Sequence, residues 1–160
     1  MERGDTMVIQ KILLPYNFTP LDQKAVDFTI EAFSHLKAVE ITIFKAYAPL
    51  PKIDASDAAG TGKLKESMAY LTDRLAQRET ELNDVKQKLV AKGFEAARIK
   101  TIYKPRQKDV ATEIIDLNRY NRFDVIILNR KQARIGRFFS GSISQKIIMA
   151  LKDTTVCVVS

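Results

Sequence analysis

Gly141, Ser142 and Ser144 open an apolar-periodic segment directly after a loop that carries Arg130, Lys131, Arg134 and Arg137. A helix start leaves backbone N–H groups unpaired and bears the positive end of the helix dipole. Hydroxyls and a glycine at such a point suit an anion such as phosphate, with the four basic side chains as further anion-binding candidates. Asp124-Val125-Ile126-Ile127-Leu128 before the loop reads as a buried strand, and Val156 to Val159 as another. Other candidate chemistry is thinner. Gly60-Thr61-Gly62-Lys63 lacks the Gly-x4-Gly-Lys-Ser/Thr spacing and a preceding strand, so it reads as linker. His35 and Cys157 are each the sole residue of their type and lie far apart in the chain, so neither a metal site nor Cys-His catalysis is expected. Ser140 and Ser142 flank Gly141 without a Gly-x-Ser-x-Gly elbow, and Ser142 reads as a helix cap. Asp124 begins its strand rather than ending it, which argues against a phospho-accepting domain. Asp5 and Asp22 read as solvated. No catalytic residue is expected.

The elements that must position these residues follow from periodicity. Val8 to Leu14 is an apolar run ended by Pro15. In Asn17-Phe18-Thr19-Pro20, Thr19 suits a helix N-cap and Pro20 the first helical position. Val26, Ile30, Phe33 and Leu36 recur at helical spacing, and Val39 to Ala46 is rich in strand formers. Residues 49–63 form a loop too small and polar to pack, and mobility is expected there. Leu64, Met68, Leu71, Leu75, Leu82, Val85 and Leu89 mark one face of a long helix ending before Gly93. This spacing also fits a coiled coil, but flanking strands favour a crossover helix. Ala97 to Tyr103 is a third strand, and Val110, Ile114 and Leu117 mark the next helix. Five strands alternating with four helices predict an α/β fold: an open parallel sheet with helices on both faces. With strand order 3-2-1-4-5, the segments after the first and fourth strands, Pro15 to Thr19 and Asn129 to Ser144, converge at the carboxyl edge, where such sheets bind ligands.

Composition bounds the function classes. The 160 residues fit one domain, 1–160, and 46% hydrophobic with 28% charged residues is a globular balance. No apolar run spans a bilayer, no signal peptide is visible, and the lone cysteine fits a reducing cytoplasm. The net charge of +7 is uneven: residues 1–80 carry 10 basic against 11 acidic side chains, and residues 81–160 carry 16 against 8. That asymmetry fits a solvated basic face or, alternatively, an RNA or polyanion partner of Arg130, Lys131, Arg134 and Arg137. No aromatic-basic interleaving or zinc spacing supports nucleic acid.

Two segments also resemble the universal stress protein family. Lys11 to Pro20 looks like its opening strand and Pro-x-Asp-x-Ser/Thr turn, and Glu40 to Tyr47 like its second strand. Asp124 to Leu128, Gly141-Ser142 and Thr155 to Val159 resemble its closing third. The resemblance implies an adenine nucleotide alpha hydrolase-like fold and a homodimer paired through Thr154 to Val159. It also implies a site for ATP, with Mg, made of Pro15, Tyr16, Asn17, Ala46, Leu128, Asn129, Gln132, Gly141, Ser142, Ile143 and Ser144. Members that bind ATP carry Gly-x-x-Gly before Gly-Ser/Thr. Here Asn129 and Gln132 fall at those glycines, the spacer to Gly141 is one residue short, and Asn17 replaces the acidic residue of the turn. Asn tolerates left-handed backbone, whereas Gln132 brings a side chain toward the phosphate space. The expectation is a non-catalytic stress-response or regulatory module with a weakened or absent ATP site. The alternative is an adenine-nucleotide-binding member with at most slow hydrolysis.

Overall fold

The computed structural model describes residues 8–52, 61–130 and 143–160. Strands β1 (Gln10–Pro15), β2 (Val39–Tyr47), β3 (Ile99–Pro105), β4 (Val125–Asn129) and β5 (Thr155–Val159) form one sheet in the order β3-β2-β1-β4-β5. Every neighbouring pair is parallel. The expected architecture and strand order are both present. Helices α1 (Pro20–Phe33) and α2 (Thr61–Ala91) contribute Ala25, Val26, Leu82, Val85 and Leu89 to the core on one face of the sheet. Helices α3 (Val110–Asn121) and α4 (Ile143–Ala150) contribute Ala111, Ile114, Ile115 and Ile147 to the core on the other. The central strand β1 has Ile12 and Leu14 on the first face and Leu13 on the second, all fully buried, as a strand covered on both sides requires.

Several boundaries differ from the sequence reading. Helix α2 begins at Thr61, so Thr61, Gly62 and Lys63 belong to a helix rather than to the expected 49–63 loop; residues 53–60 lie outside the described residues. Leu36 lies beyond α1, which ends at Phe33 with the Ser34 amide bonded to Ile30. Ala97 sits in a short 3-10 turn, Ala96–Arg98, that precedes β3, and β4 starts at Val125 rather than Asp124. The Asp124 carboxylate instead accepts from the Lys11 amide at 2.7 Å, tying β4 to β1 before the ladder begins.

Helix α2 is packed along only part of its length. Its 31 residues extend about 46 Å at 1.5 Å per residue, against roughly 30 Å for the nine residues of β2. Its buried apolar residues, Leu82, Val85 and Leu89, all lie near the C-terminal end, while Leu64 and Leu71 on the same stripe are exposed. The sequence periodicity is continuous; the burial is not. The helix stops in a Schellman motif, with Gly93 N–H bonded to Val90 O and Phe94 N–H to Leu89 O. Gly93 adopts φ +106, a left-handed conformation that a side chain would strain.

Candidate functional site

Pro15 ends β1, and the Tyr16 amide donates to Phe44 O at 2.9 Å, continuing the ladder with β2 for one more residue. Tyr16 is buried on the α1–α2 face, its hydroxyl accepting from Gln23 Nε2 at 3.0 Å, and burial raises its phenol pKa. Asn17 then turns outward. Phe18 follows at φ +60, uncommon for a bulky residue. Its ring meets Tyr16 edge-on at 5.2 Å between centroids. Thr19 is extended and caps α1, with Pro20 at its first position, as the sequence reading expects.

Asp22 organises this turn. It was expected in solvent, yet it is fully buried. One carboxylate oxygen accepts from the amides of Asn17 at 3.1 Å and Thr19 at 2.6 Å and from the Thr19 hydroxyl at 3.0 Å. Its other oxygen accepts from the Asn129 side-chain amide at the end of β4. The correction has a physical reason: at the third helical position an acid reaches back to the N-cap amide, so helix start and turn fold around it. The signal was present as Thr19 followed three residues later by Asp22.

The Asp22–Asn129 contact brings the ends of β1 and β4 together at the carboxyl edge, where the sequence placed a crevice. Leu128 and Ala46 are buried beside it on the other face of the sheet. Asn129 Oδ1 is itself buried with no partner among the described residues. Arg130 continues outward, its amide bonded to Val159 O at 2.8 Å, and its side chain is exposed. Ile143 and Ser144 form the first turn of α4. Gln132, Gly141 and Ser142, with Lys131, Arg134 and Arg137, lie outside the described residues. The expected helix cap at Ser142 is therefore outside them too.

A second group of side chains was not anticipated. Lys45 Nζ donates to Asn17 Oδ1 at 3.0 Å and lies 5.8 Å from the centroid of Phe18. The Arg78 guanidinium from α2 covers the same ring at 4.6 Å and donates to Glu81 at 2.7 Å. Burial lowers the Lys45 pKa; Asp22 opposes that shift, while Arg78 and Arg106 add to it. The sequence reading named neither Lys45 nor Arg78, because no local motif joins residues so far apart in the chain.

On the β3 side a hollow of about 340 Å³ is lined by Glu79, Asn83, Thr101 and Tyr103. Tyr103 also pairs with Tyr47 at 4.6 Å between ring centroids. Among the described residues no group of three His, Cys, Asp or Glu side chains suits a metal ion, and no helix is long and apolar enough to cross a membrane.

The sequence profile of the universal stress protein family matches residues 9–158. The chain belongs to that family. Among solved structures, a hypothetical protein named MJ0577 is similar over 94% of both chains, with a TM-score of 0.67 and 22% identity. A universal stress protein in complex with cAMP matches with a TM-score of 0.61 and 16% identity, over 94% of this chain and 96% of that one. The Archaeoglobus fulgidus universal stress protein in complex with dAMP matches with a TM-score of 0.58 and 11% identity, over 96% and 99%. At these identities the structural likeness speaks for the fold alone. No curated protein matches the chain in sequence.

Proposed function

We propose that the chain is a single-domain, non-catalytic regulatory module of the universal stress protein family, with a weakened or absent ATP site at the carboxyl edge of β1 and β4. The observation that carries this reading is the hydrogen bond from Asn129 to the buried Asp22 carboxylate. The family resemblance puts a glycine at position 129, where backbone approaches phosphate closely. Here a side chain fills that space and is held there, and a carboxylate stands behind it. Repulsion between that carboxylate and a triphosphate, with the lost close contacts, is expected to lower affinity about ten- to hundredfold. Calorimetric titration with Mg-ATP tests the reading: no heat, or millimolar binding, is expected, and micromolar binding overturns it. Asn129→Gly combined with Gln132→Gly should strengthen binding at least tenfold, and an unchanged titration means the two side chains are not the obstacle.

A second reading is an adenine-nucleotide-binding member with at most slow hydrolysis. It is favoured by the complexes of similar structures with cAMP and dAMP. Pro15, Tyr16, Asn17, Ala46, Leu128 and Asn129, with the loop through Ser144, would supply that site, and no described cluster would hold a metal beside it. The proposed assembly is a homodimer paired through β5, which among the described residues is an edge strand and carries an exposed Val158. A reducing cytoplasm is the compartment that suits its single free thiol.

A further inference from the structure

We infer that Lys45, Arg78 and Arg106 form a binding site for a phosphoryl group at the carboxyl ends of β2 and β3, beside Phe18 and apart from the β4 side of the crevice. Three consecutive elements deliver the three cations. Lys45 lies near the end of β2, Arg78 on α2, and Arg106 directly after β3. The Arg106 amide donates to Tyr47 O at 2.8 Å, which fixes that residue alongside the end of β2. Lys45 and Arg78 approach one ring, at 5.8 Å and 4.6 Å from the Phe18 centroid. Like charges brought to one ring repel, and an added anion beside them relieves that repulsion.

The neighbouring acids cancel the group only in part. Asp22 already accepts from two amides, a hydroxyl and the Asn129 side chain. Glu81 takes Arg78 Nη1, leaving the other guanidinium donors for a further acceptor. Lys45 is held by Asn17 Oδ1, a neutral acceptor, and among the described residues no carboxylate forms an ion pair with it. An acid at position 17 would neutralise Lys45 internally. Its replacement by an amide keeps the ammonium in place and its charge available.

A forked guanidinium beside an ammonium, with a third cation nearby, suits a multiply charged tetrahedral oxyanion better than a single carboxylate. Phe18 offers both cations one aromatic ring, at 5.8 Å from Lys45 Nζ and 4.6 Å from the Arg78 guanidinium. Lys45, Phe18 and Arg78 are part-exposed and Arg106 is exposed, so a ligand can reach them from solvent.

Titration of the full chain with inorganic pyrophosphate and with acetate, at low and moderate salt, tests the site. Saturable, salt-sensitive binding of pyrophosphate and none of acetate is expected. Lys45→Gln and Arg78→Gln should each weaken it tenfold or more. Asn17→Asp, which leaves every cation in place, should weaken it comparably by capturing Lys45. Thermal unfolding of each variant shows that the fold is retained. Replacing Lys131, Arg134 and Arg137 together should leave binding within a factor of about three. Absence of pyrophosphate binding, equal binding of acetate, or insensitivity to Lys45→Gln and Asn17→Asp overturns the site. AMP binding tighter than phosphate and weakened by Lys45→Gln would trace the group to a nucleotide, and equal binding of the two weakened by Lys45→Gln to a free oxyanion; either result supports the site, and AMP binding indifferent to Lys45→Gln counts against it. Loss of ATP binding alone bears on the β4 side and leaves this site standing.

Discussion

At the scale of single residues, Asp22 has the largest structural consequence. Its carboxylate is buried and gathers donors from Asn17, Thr19 and Asn129, so Asp22→Ala strands several of them at once. The expected loss is about 2–4 kcal/mol in chemical denaturation; a loss below 0.5 kcal/mol would show that water replaces the carboxylate without cost. Glu113 plays a similar part in the loop between β3 and α3, accepting from Lys104 Nζ at 2.7 Å and from the amides of Gln107 and Lys108. The Lys104 hydrogen bond, ahead of the amides, holds its pKa below the ordinary glutamate value. The native state therefore binds this proton more weakly than the unfolded chain. The stabilisation is complete above the ordinary value and vanishes as pH falls through the lowered native one. Glu113→Gln should accordingly lower stability at neutral pH and flatten the acid limb of a stability–pH profile; parallel profiles for the two proteins would refute this. For Asp22 the Thr19-x-x-Asp22 spacing was a signal, though the residue reads as solvated in sequence. Glu113 carries no such signal, because the fold supplies the donors that enclose it.

At the scale of elements, legibility follows the strength of the local pattern. Short β-branched runs such as Val39 to Tyr47 were found almost whole, because a strand buried on both faces admits few polar residues. The end of α2 was equally plain in Gly93, whose left-handed φ completes the Schellman motif. Gly93→Ala should cost about 1 kcal/mol, read as a lower denaturation midpoint at unchanged slope. A neutral result would mean the motif relaxes. The start of α2 was missed because Gly60, Gly62 and the preceding small residues favour a loop. Helices α3 and α4 meet through a contact that periodicity does not encode: Lys146 Nζ reaches both Asp109 oxygens at 3.0 Å and the Thr112 hydroxyl at 2.9 Å. Asp109 also caps α3 by accepting from the Thr112 amide at 3.1 Å, and with Lys146 these bonds hold its pKa far below the usual aspartate range, the Thr112 hydroxyl contributing most.

At the scale of the whole molecule, the parallel sheet and its strand order were legible because alternation of strands and helices leaves few arrangements. The candidate site was legible only in part. Pro15, Asn17 and Asn129 do meet at one edge, since the strand order brings β1 beside β4. Lys45 and Arg78 meet at the Phe18 ring from separate elements, a separation no local motif bridges. The sheet also ends in an edge, β5, that exposes Val158. If two copies pair there, Val158→Lys should shift sedimentation from dimer to monomer, while a monomeric parent protein would remove that pairing outright.

Because α2 carries its buried anchors at one end, its opening turns rest mainly on their own backbone bonds, whereas most helical stability in proteins comes from packing an apolar face. Heat, solvent or a grasping neighbour would thus unwind this rod from its tip inward while the sheet beneath stays intact. The molecule has a soft antenna on a stiff base.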